Sequence, residues 1–483
     1  MIVLSTEPRI TNLLSAKTDI KKFKFSPYIF KVQTDDGSFI ISNTFTRFVC
    51  AIKPEIARDI QRDAIPSEAW INSLSQDYLD TFVYNRILID ASTDETNTYL
   101  ETYSLFDDIL SGDSSIDRYN ILTSTGCNAR CYYCFEEGYY PKAEHMSIDT
   151  AEKVAAYILR THDRSKKIYL RWFGGEPLVN VRVIDRISSI LNNNKVDFFS
   201  TISTNGLLCT PSVIEKAKTT WRMSKVRITL DGWGREHDIR KRFVSTKDGF
   251  SVIMKNIDFV VKSGMIMIIR LSVDRNNHDS LMKLTEYFIE RYKGCDNFKM
   301  YAHCLHDDVT ELSFKEQPDV FAAVNESCDK LTKRIMEAGM YDYERLQPDG
   351  FRMYLCAAQE PKKISITPSG KICKCECLSN DQVSWGTVDG VMLDKKIFDY
   401  WHKGFNVCRE KCRHCFMLPL CTPFSICPLR HLHCQSRFEK MLKFNLLERY
   451  RRKLCNEEPM LFIDCLPINI VNLTYFCIIN YQV

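Results

Sequence analysis

The sequence predicts an α/β fold: a partial (β/α)6 barrel between a small N-terminal α+β region and a cysteine-rich C-terminal domain. Three observations carry this reading. From residue 121 onward, short apolar runs alternate with amphipathic stretches, so the hydrophobic period shifts repeatedly between two and 3.6 residues. The first hundred or so residues lack that alternation, and after residue 350 the cysteines concentrate. A chain of 483 residues can hold two or three separately cored domains. The expected boundaries are 1–115, 116–345 and 346–456, with an apolar tail over 457–483.

The N-terminal region opens on a hairpin signal, with Tyr28 to Gln33 and Ser38 to Ser42 flanking the turn Asp35-Asp36-Gly37. Helices are expected near Pro54 to Arg62 and Glu68 to Leu79. Six strands then follow at Ile121–Thr125, Ile168–Phe173, Phe198–Ser203, Val226–Leu230, Met267–Val273 and Phe298–His303. Helices between them are expected over Asp149–His162, Val181–Leu191, Pro211–Thr219, Phe250–Ser263 and Ser280–Tyr292. Such a βα series gives a parallel sheet covered by helices, with its chemistry at the C-terminal strand ends. The polar and glycine-rich segments fall there: Gly174-Gly175-Glu176-Pro177, Ser203-Thr204-Asn205-Gly206, Asp231-Gly232, and Arg270 with Ser272. A single glycine after a strand is ordinarily a turn. Their joint placement on one face marks a site.

Bulk properties exclude several classes. A net charge of +4 over this length offers no polyanion-binding face, so no nucleic acid is expected. Twenty-one cysteines in a large chain that lacks an N-terminal signal peptide, many at short ligand-like spacings, point to metal binding in a reducing cytoplasm rather than to disulfides. The segment from Pro459 to Val483 is apolar but carries Asp464, Pro467 and asparagines, so no membrane span is expected.

The first strand runs into Cys127, Cys131 and Cys134 in the loop Gly-Cys-Asn-Ala-Arg-Cys-Tyr-Tyr-Cys. Thiolates are soft ligands for iron–sulfur clusters or zinc. Structural zinc takes four closed ligands, and this loop supplies three, which favours a reactive cluster with one open iron. This spacing, with Tyr133 before the third cysteine, resembles the signature of the radical S-adenosylmethionine enzymes. The resemblance implies a 4Fe-4S cluster whose open iron binds S-adenosylmethionine, and hydrogen abstraction from substrate by a 5′-deoxyadenosyl radical. It further implies that Gly174, Gly175 and Glu176 hold the cofactor's amino group. Ser203 and Asn205 would contact its ribose or methionine portion, Arg270 and Ser272 its carboxylate or ribose, and Tyr133 and Phe135 its adenine.

The C-terminal cysteines divide into Cys356 with Cys375, Cys412-x2-Cys415-x5-Cys421, and then Cys427 and Cys434. This order resembles the SPASM domain, a two-cluster extension of radical enzymes that modify peptides and proteins. The resemblance implies an outer auxiliary cluster on Cys412, Cys415, Cys421 and Cys434. The inner one would rest on Cys356, Cys375 and Cys427, completed by Cys373 or Cys377 or left open. Zinc knuckles are the alternative reading of these spacings.

Three functions are weighed. The first is a peptide maturase whose N-terminal region recognises a leader, since Tyr28 to Val49 resembles the opening of such enzymes. Its partners would be a peptide or protein substrate and a one-electron reductant such as flavodoxin or ferredoxin. The second is an anaerobic sulfatase maturase forming formylglycine, in which an aspartate base follows the second inner-cluster cysteine. Here that residue is Glu376, the candidate catalytic base, one methylene longer. The third is a zinc-stabilised scaffold without catalysis, which leaves the clustered top-face segments unexplained.

Overall fold

The computed structural model describes residues 1–6, 11, 12, 14, 20, 22–111, 115–134, 136, 142–305, 318–342, 358, 360–375, 383–403, 412, 413, 415–420 and 436–454. They fall into two compact units that do not follow chain order.

The first unit joins the residues up to Asp113 with the described residues beyond 404. Its strands are β1 (Ile2–Ser5), β2 (Phe23–Phe25), β3 (Ile29–Gln33), β4 (Phe39–Asn43), β5 (Val49–Ile52) and β6 (Leu88–Asp90). An antiparallel sheet runs in the order β1-β5-β4-β3, and β2 pairs with β6. The expected hairpin is β3–β4, and Gly37 takes φ +84° in its turn. The helix expected from Glu68 breaks into Glu68–Ser73 and Gln76–Tyr84, because Leu74 is extended and Ser75 caps the second piece by accepting from Tyr78 N–H.

Strand alternation makes this sheet two-sided. Ile41 and Cys50 turn to Trp70 and Phe82, whereas Phe30, Ile40 and Val49 turn to Phe416, Leu420 and Leu446. The unbroken apolar run Val49-Cys50-Ala51-Ile52 is thereby explained: both faces are covered. The second cover is the cysteine-bearing segment around Cys412 and Cys415, followed by helix Ser436–Leu454. Its seating is specific. Phe416 stacks on Phe30 at 5.2 Å with 3° between the planes, and the Arg62 guanidinium lies 4.2 Å from the Phe416 ring centre. Thr44 Oγ1 donates to the Phe416 carbonyl at 2.5 Å, and Arg47 Nη2 donates to that of Pro419 at 3.1 Å.

The second unit carries the six expected strands in parallel: β7 (Arg118–Ser124), β8 (Ile168–Gly174), β9 (Phe198–Thr204), β10 (Met223–Leu230), β11 (Ile266–Val273) and β12 (Phe298–Cys304). Helices Ile148–Thr161, Val181–Asn193, Pro211–Thr219, Gly249–Lys262 and His278–Tyr292 lie between them in sequence, within a few residues of expectation. This is the partial barrel. Trp172, Ile202, Ile228 and Ile269 fill the core on one face of the sheet. A further parallel strand, β13 (Lys363–Ile366), pairs with the free edge of β7, and β14 (Lys371–Cys373) and β15 (Gly386–Thr387) follow antiparallel, giving nine strands. Among the described residues no helix is long and apolar enough to cross a membrane.

Phe416→Ala removes a buried ring together with its stack and its cation contact. It is expected to destabilise the first unit by about 3–5 kcal/mol and to speed hydrogen exchange at β3 and β4 amides, leaving β8–β10 amides unchanged.

Candidate active site

The cysteine loop leaves β7 at Ser124, whose hydroxyl accepts from Gly126 N–H at 2.8 Å and bonds His145 Nδ1 at 2.9 Å. Its middle is fastened to the segment after β10. Arg130 N–H donates to the Lys241 carbonyl, and Val244 N–H to that of Asn128, both at 2.9 Å. The thiols of Cys127, Cys131 and Cys134 are half-buried. Among the described residues no three His, Cys, Asp or Glu groups close on a single metal ion. Burial pushes the Cys127 thiol up to about 12 and raises that of Cys131, against the pull of Lys241. Thiols held that high become ligands when a strongly cationic centre displaces the proton. Three soft donors in one loop fit an iron–sulfur cluster.

The Gly-Gly-Glu turn is bound to the start of this loop. Gly175 N–H donates to the Ser124 carbonyl at 3.0 Å and Glu176 N–H to that of Gly126 at 3.1 Å. A Cβ on Gly174, which takes φ +122°, would lie 2.0 Å from the Ser124 oxygen. On Gly175 it would lie 2.7 Å from the Gly126 oxygen. The close approach that these glycines permit is therefore to the chain's own backbone.

The Glu176 side chain is fully buried. One oxygen accepts from Leu178 N–H (3.0 Å) and Thr204 Oγ1 (2.8 Å), the other from Asn205 N–H (2.8 Å) and Thr204 Oγ1 (2.9 Å). Burial raises its pKa and these donors oppose the rise. The carboxylate ties the turn after β8 to the end of β9. Asn205 carries the link onward, because its Nδ2 donates to Asn128 Oδ1 at 2.6 Å within the cysteine loop.

Tyr133 is held by a buried ion pair. Its hydroxyl donates to Asp231 Oδ2 (2.6 Å) and accepts from Lys241 Nζ (2.7 Å), and Lys241 lies 3.2 Å from the same carboxylate. Burial lowers the Lys241 pKa, but Asp231 and Cys131 together raise it further. Burial and Asp231 hold the Tyr133 phenol well above its ordinary value, so it stays a donor. His237 Nδ1 accepts from Asp231 N–H at 3.2 Å, and burial takes its pKa down to about 3, which keeps it neutral. Neither Lys241 nor His237 is marked in the sequence, where Arg235–Lys241 resembles any short charged helix.

Ser203 makes one long contact, from Arg171 Nη2 at 3.5 Å. Buried polar atoms at this end of the sheet that lack partners among the described residues include Asn128 Nδ2, Asp231 Oδ1, Arg270 Nε and Ser272 Oγ. Buried polar atoms are nearly always bonded, so this set fits a polar ligand such as S-adenosylmethionine beside the three thiols.

Farther along, Cys375 is half-buried after β14, and Cys412 and Cys415 share a turn closed by Cys415 N–H to the Cys412 carbonyl at 3.0 Å. The fully buried Cys373 thiol donates to the carbonyls of Ser365 (3.6 Å) and Cys375 (3.8 Å), a core position in its hairpin. Phe135, Cys356, Glu376, Cys377, Cys421, Cys427 and Cys434 lie outside the described residues.

Glu176→Gln would turn an amide N–H2 toward a buried donor. The expected loss is about 1–3 kcal/mol, read as a lower melting temperature together with weaker S-adenosylmethionine binding. Weaker binding at an unchanged melting temperature would return the carboxylate to the ligand.

Comparisons with known proteins agree with this geometry. Residues 121–288 match the Radical SAM superfamily. The radical SAM cyclopropyl synthase TigE of Paramaledivibacter caminithermalis is 26% identical over 223 residues, 41% of this chain and 47% of its own. A GTP 3′,8-cyclase of Clostridium botulinum is 27% identical over 172 residues, 34% of this chain and 50% of its own. The chain thus spans about half the length of the curated relatives it matches. Among solved structures, native anSMEcpe with bound AdoMet superposes with a TM-score of 0.54 at 16% identity, covering 70% of this chain and 98% of that one. Its complex with AdoMet and the Cp18Cys peptide gives 0.54 at 18% identity with the same coverage. These two show the fold. The parallel sheet with its cysteine loop, over residues 121–288, is a radical S-adenosylmethionine domain, of the superfamily whose cofactors are a 4Fe-4S cluster and S-adenosylmethionine.

Proposed function

We propose that this chain modifies a ribosomally synthesised peptide by hydrogen-atom abstraction, with a 4Fe-4S cluster on Cys127, Cys131 and Cys134 and S-adenosylmethionine beside it. The observation that carries the reading is the meeting of that loop with buried polar atoms that lack partners among the described residues, Asn128 Nδ2, Asp231 Oδ1, Arg270 Nε and Ser272 Oγ, at one end of a parallel sheet. When bound, the two groups supply one-electron cleavage of a sulfonium and abstraction of hydrogen from substrate. The chain's own residues do the rest. Glu176 and Asn205 fix the start of the loop, and the Asp231–Lys241 pair pins Tyr133 within it. Asn128, Arg270 and Ser272 offer bonds to the cofactor, along with the main chain of Gly174 and Gly175 and the neighbouring Ser203.

The substrate class is supported by the fold shared with a protein that holds a peptide, and by the N-terminal unit. Cys375, Cys412 and Cys415, with Cys356, Cys421, Cys427 and Cys434, would hold two auxiliary clusters of the SPASM type. A flavodoxin- or ferredoxin-like reductant in the cytoplasm would supply the electron. The sulfatase-maturase reading keeps one support, the carboxylate of Glu376 directly after Cys375.

Anaerobically reconstituted protein is expected to carry about twelve irons per chain, three clusters of four. The Cys127→Ala, Cys131→Ala, Cys134→Ala variant should keep the auxiliary iron and form no 5′-deoxyadenosine. Stoichiometric zinc with negligible iron would end the enzyme reading.

Leader docking has its own test. Among the described residues β3 is an edge strand. Thr34 N–H bonds the Ser38 carbonyl, so by antiparallel alternation the N–H of Gln33 points away from β4. A leader added as a further strand would take that N–H. Deleting the region would strip the cover from Phe416 and Leu446, so a point change is the cleaner probe. Gln33→Pro is expected to weaken binding of a precursor peptide by roughly tenfold, with circular dichroism and iron content unchanged. Wild-type affinity in that variant would show that β3 is only a packing strand.

A further inference from the structure

One lysine holds the cysteine loop at two points. Arg130 N–H donates to the Lys241 carbonyl at 2.9 Å, and Lys241 Nζ donates to the Tyr133 hydroxyl at 2.7 Å. Cys131 stands between those two loop residues in the chain, so the main chain and the ammonium of Lys241 bracket one of the three thiols. The same Nζ lies 5.4 Å from the Tyr133 ring centre and 3.2 Å from Asp231 Oδ2. Both members of this ion pair are buried.

A neutral donor could clasp the loop at less cost, because burying an ammonium is expensive even when it is paired. The charge is nevertheless kept. Burial works against it, while Asp231 and the Cys131 thiol favour it strongly enough to raise the Lys241 pKa. The pair is also oriented. Burial is the main influence on the Cys131 thiol, and of the neighbouring charges Lys241 outweighs Asp231, so the positive end of the pair is turned to the sulfur. A cluster on three thiolates is anionic, and one-electron reduction adds a further negative charge; net charge and burial are what set its potential. A fixed cation beside one of its ligands therefore stabilises the reduced state more than the oxidised one.

We propose that the Lys241 ammonium raises the reduction potential of the cluster on Cys127, Cys131 and Cys134, easing the entry of the electron that starts the reaction. The inference rests on the cluster reading above and gives Lys241 a part in it beyond holding the loop. The step is a one-electron transfer in which the donor is oxidised and the cluster reduced, and the ammonium keeps its proton throughout. A residue that only clasped the loop would act with the opposite sign. Loosening the loop admits water, which also favours the more highly charged, reduced state, so loss of a mere clasp would raise the potential.

The test titrates the full, anaerobically reconstituted chain with dithionite through redox mediators, followed by electron paramagnetic resonance. The signal that changes on adding S-adenosylmethionine belongs to this cluster, and signals that do not respond serve as internal standards. Lys241→Gln keeps an N–H donor for Tyr133 and loses the charge. It is expected to make reduction less favourable by about tenfold, a fall of about 59 mV for one electron. Lys241→Arg keeps the charge and is expected to stay near the wild-type potential. Lys241→Met repeats the loss of charge should the glutamine variant hold no iron. An unchanged or raised potential in the neutral variants overturns the proposal, as does an equal fall in Lys241→Arg. Failure of both neutral variants to take up iron, with Lys241→Arg loaded, would make Lys241 a folding element and overturn it too. A wild-type chain without reducible iron would remove the cluster reading itself, whereas intact iron at an unshifted potential removes this inference alone.

Discussion

The buried carboxylate of Glu176 is the constraint on which the site depends. It collects donors from two segments, Leu178 after β8 and Thr204-Asn205 at the end of β9, and it does so where no water competes. A carboxylate surrounded by donors is satisfied as an anion, although burial alone favours the neutral form. Because Gly175 and Glu176 also bind the carbonyls of Ser124 and Gly126, the geometry of the turn becomes the geometry of the cysteine loop's entry. Glycine is required here by contact distance. A Cβ 2.0 Å from a backbone oxygen has no flexible neighbour to displace.

From that anchor the loop is held at two further places. Asn205 reaches Asn128 from β9, and the carbonyls of Lys241 and Arg242 receive Arg130 N–H. Lys241 is thus used twice, by its main chain on the loop and by its ammonium on Tyr133 and Asp231. A fully buried lysine is costly unless paired, and here it has both a carboxylate and a phenol. The same logic appears at Lys374, whose buried ammonium donates to the carbonyls of Glu360, Pro361 and Lys363 within 2.8 Å.

The parts of the fold visible in the sequence are those set by local periodicity. The six strands and the helices between them follow from alternation and caps, and Pro211–Thr219 begins where Thr210 accepts from Val213 N–H and proline fills the first turn. The hidden parts are set by long-range pairing. Nothing in Lys363–Ile366 announces that it will join β7, and nothing in Phe416-Met417-Leu418 announces that it will cover the N-terminal sheet. The run Val49 to Ile52 did carry a signal, since four consecutive apolar residues in an antiparallel strand require a second cover. The site divides in the same way. The cysteine loop and the glycine turn stand out as motifs, whereas Lys241 and His237 gain meaning only when the segment after β10 folds back onto the loop.

A cationic face of the central sheet shows why register matters as well as composition. Net charge over the whole chain is +4, which suggests no electrostatic specialisation. Strand parity separates what that total averages: apolar residues go to one side, and Arg171, Arg227 and Arg270 with two lysines go to the other. Acidic residues sit instead on helices and loops, where Asp185 meets Lys216 and Asp258 meets Arg291 in exposed pairs of small energetic weight. Ring faces lie against two of these cations, Phe173 at 4.6 Å from Arg171 and Tyr301 at 5.9 Å from Arg227, so the same parity that gathers the guanidinium groups also supplies aromatic contacts for them.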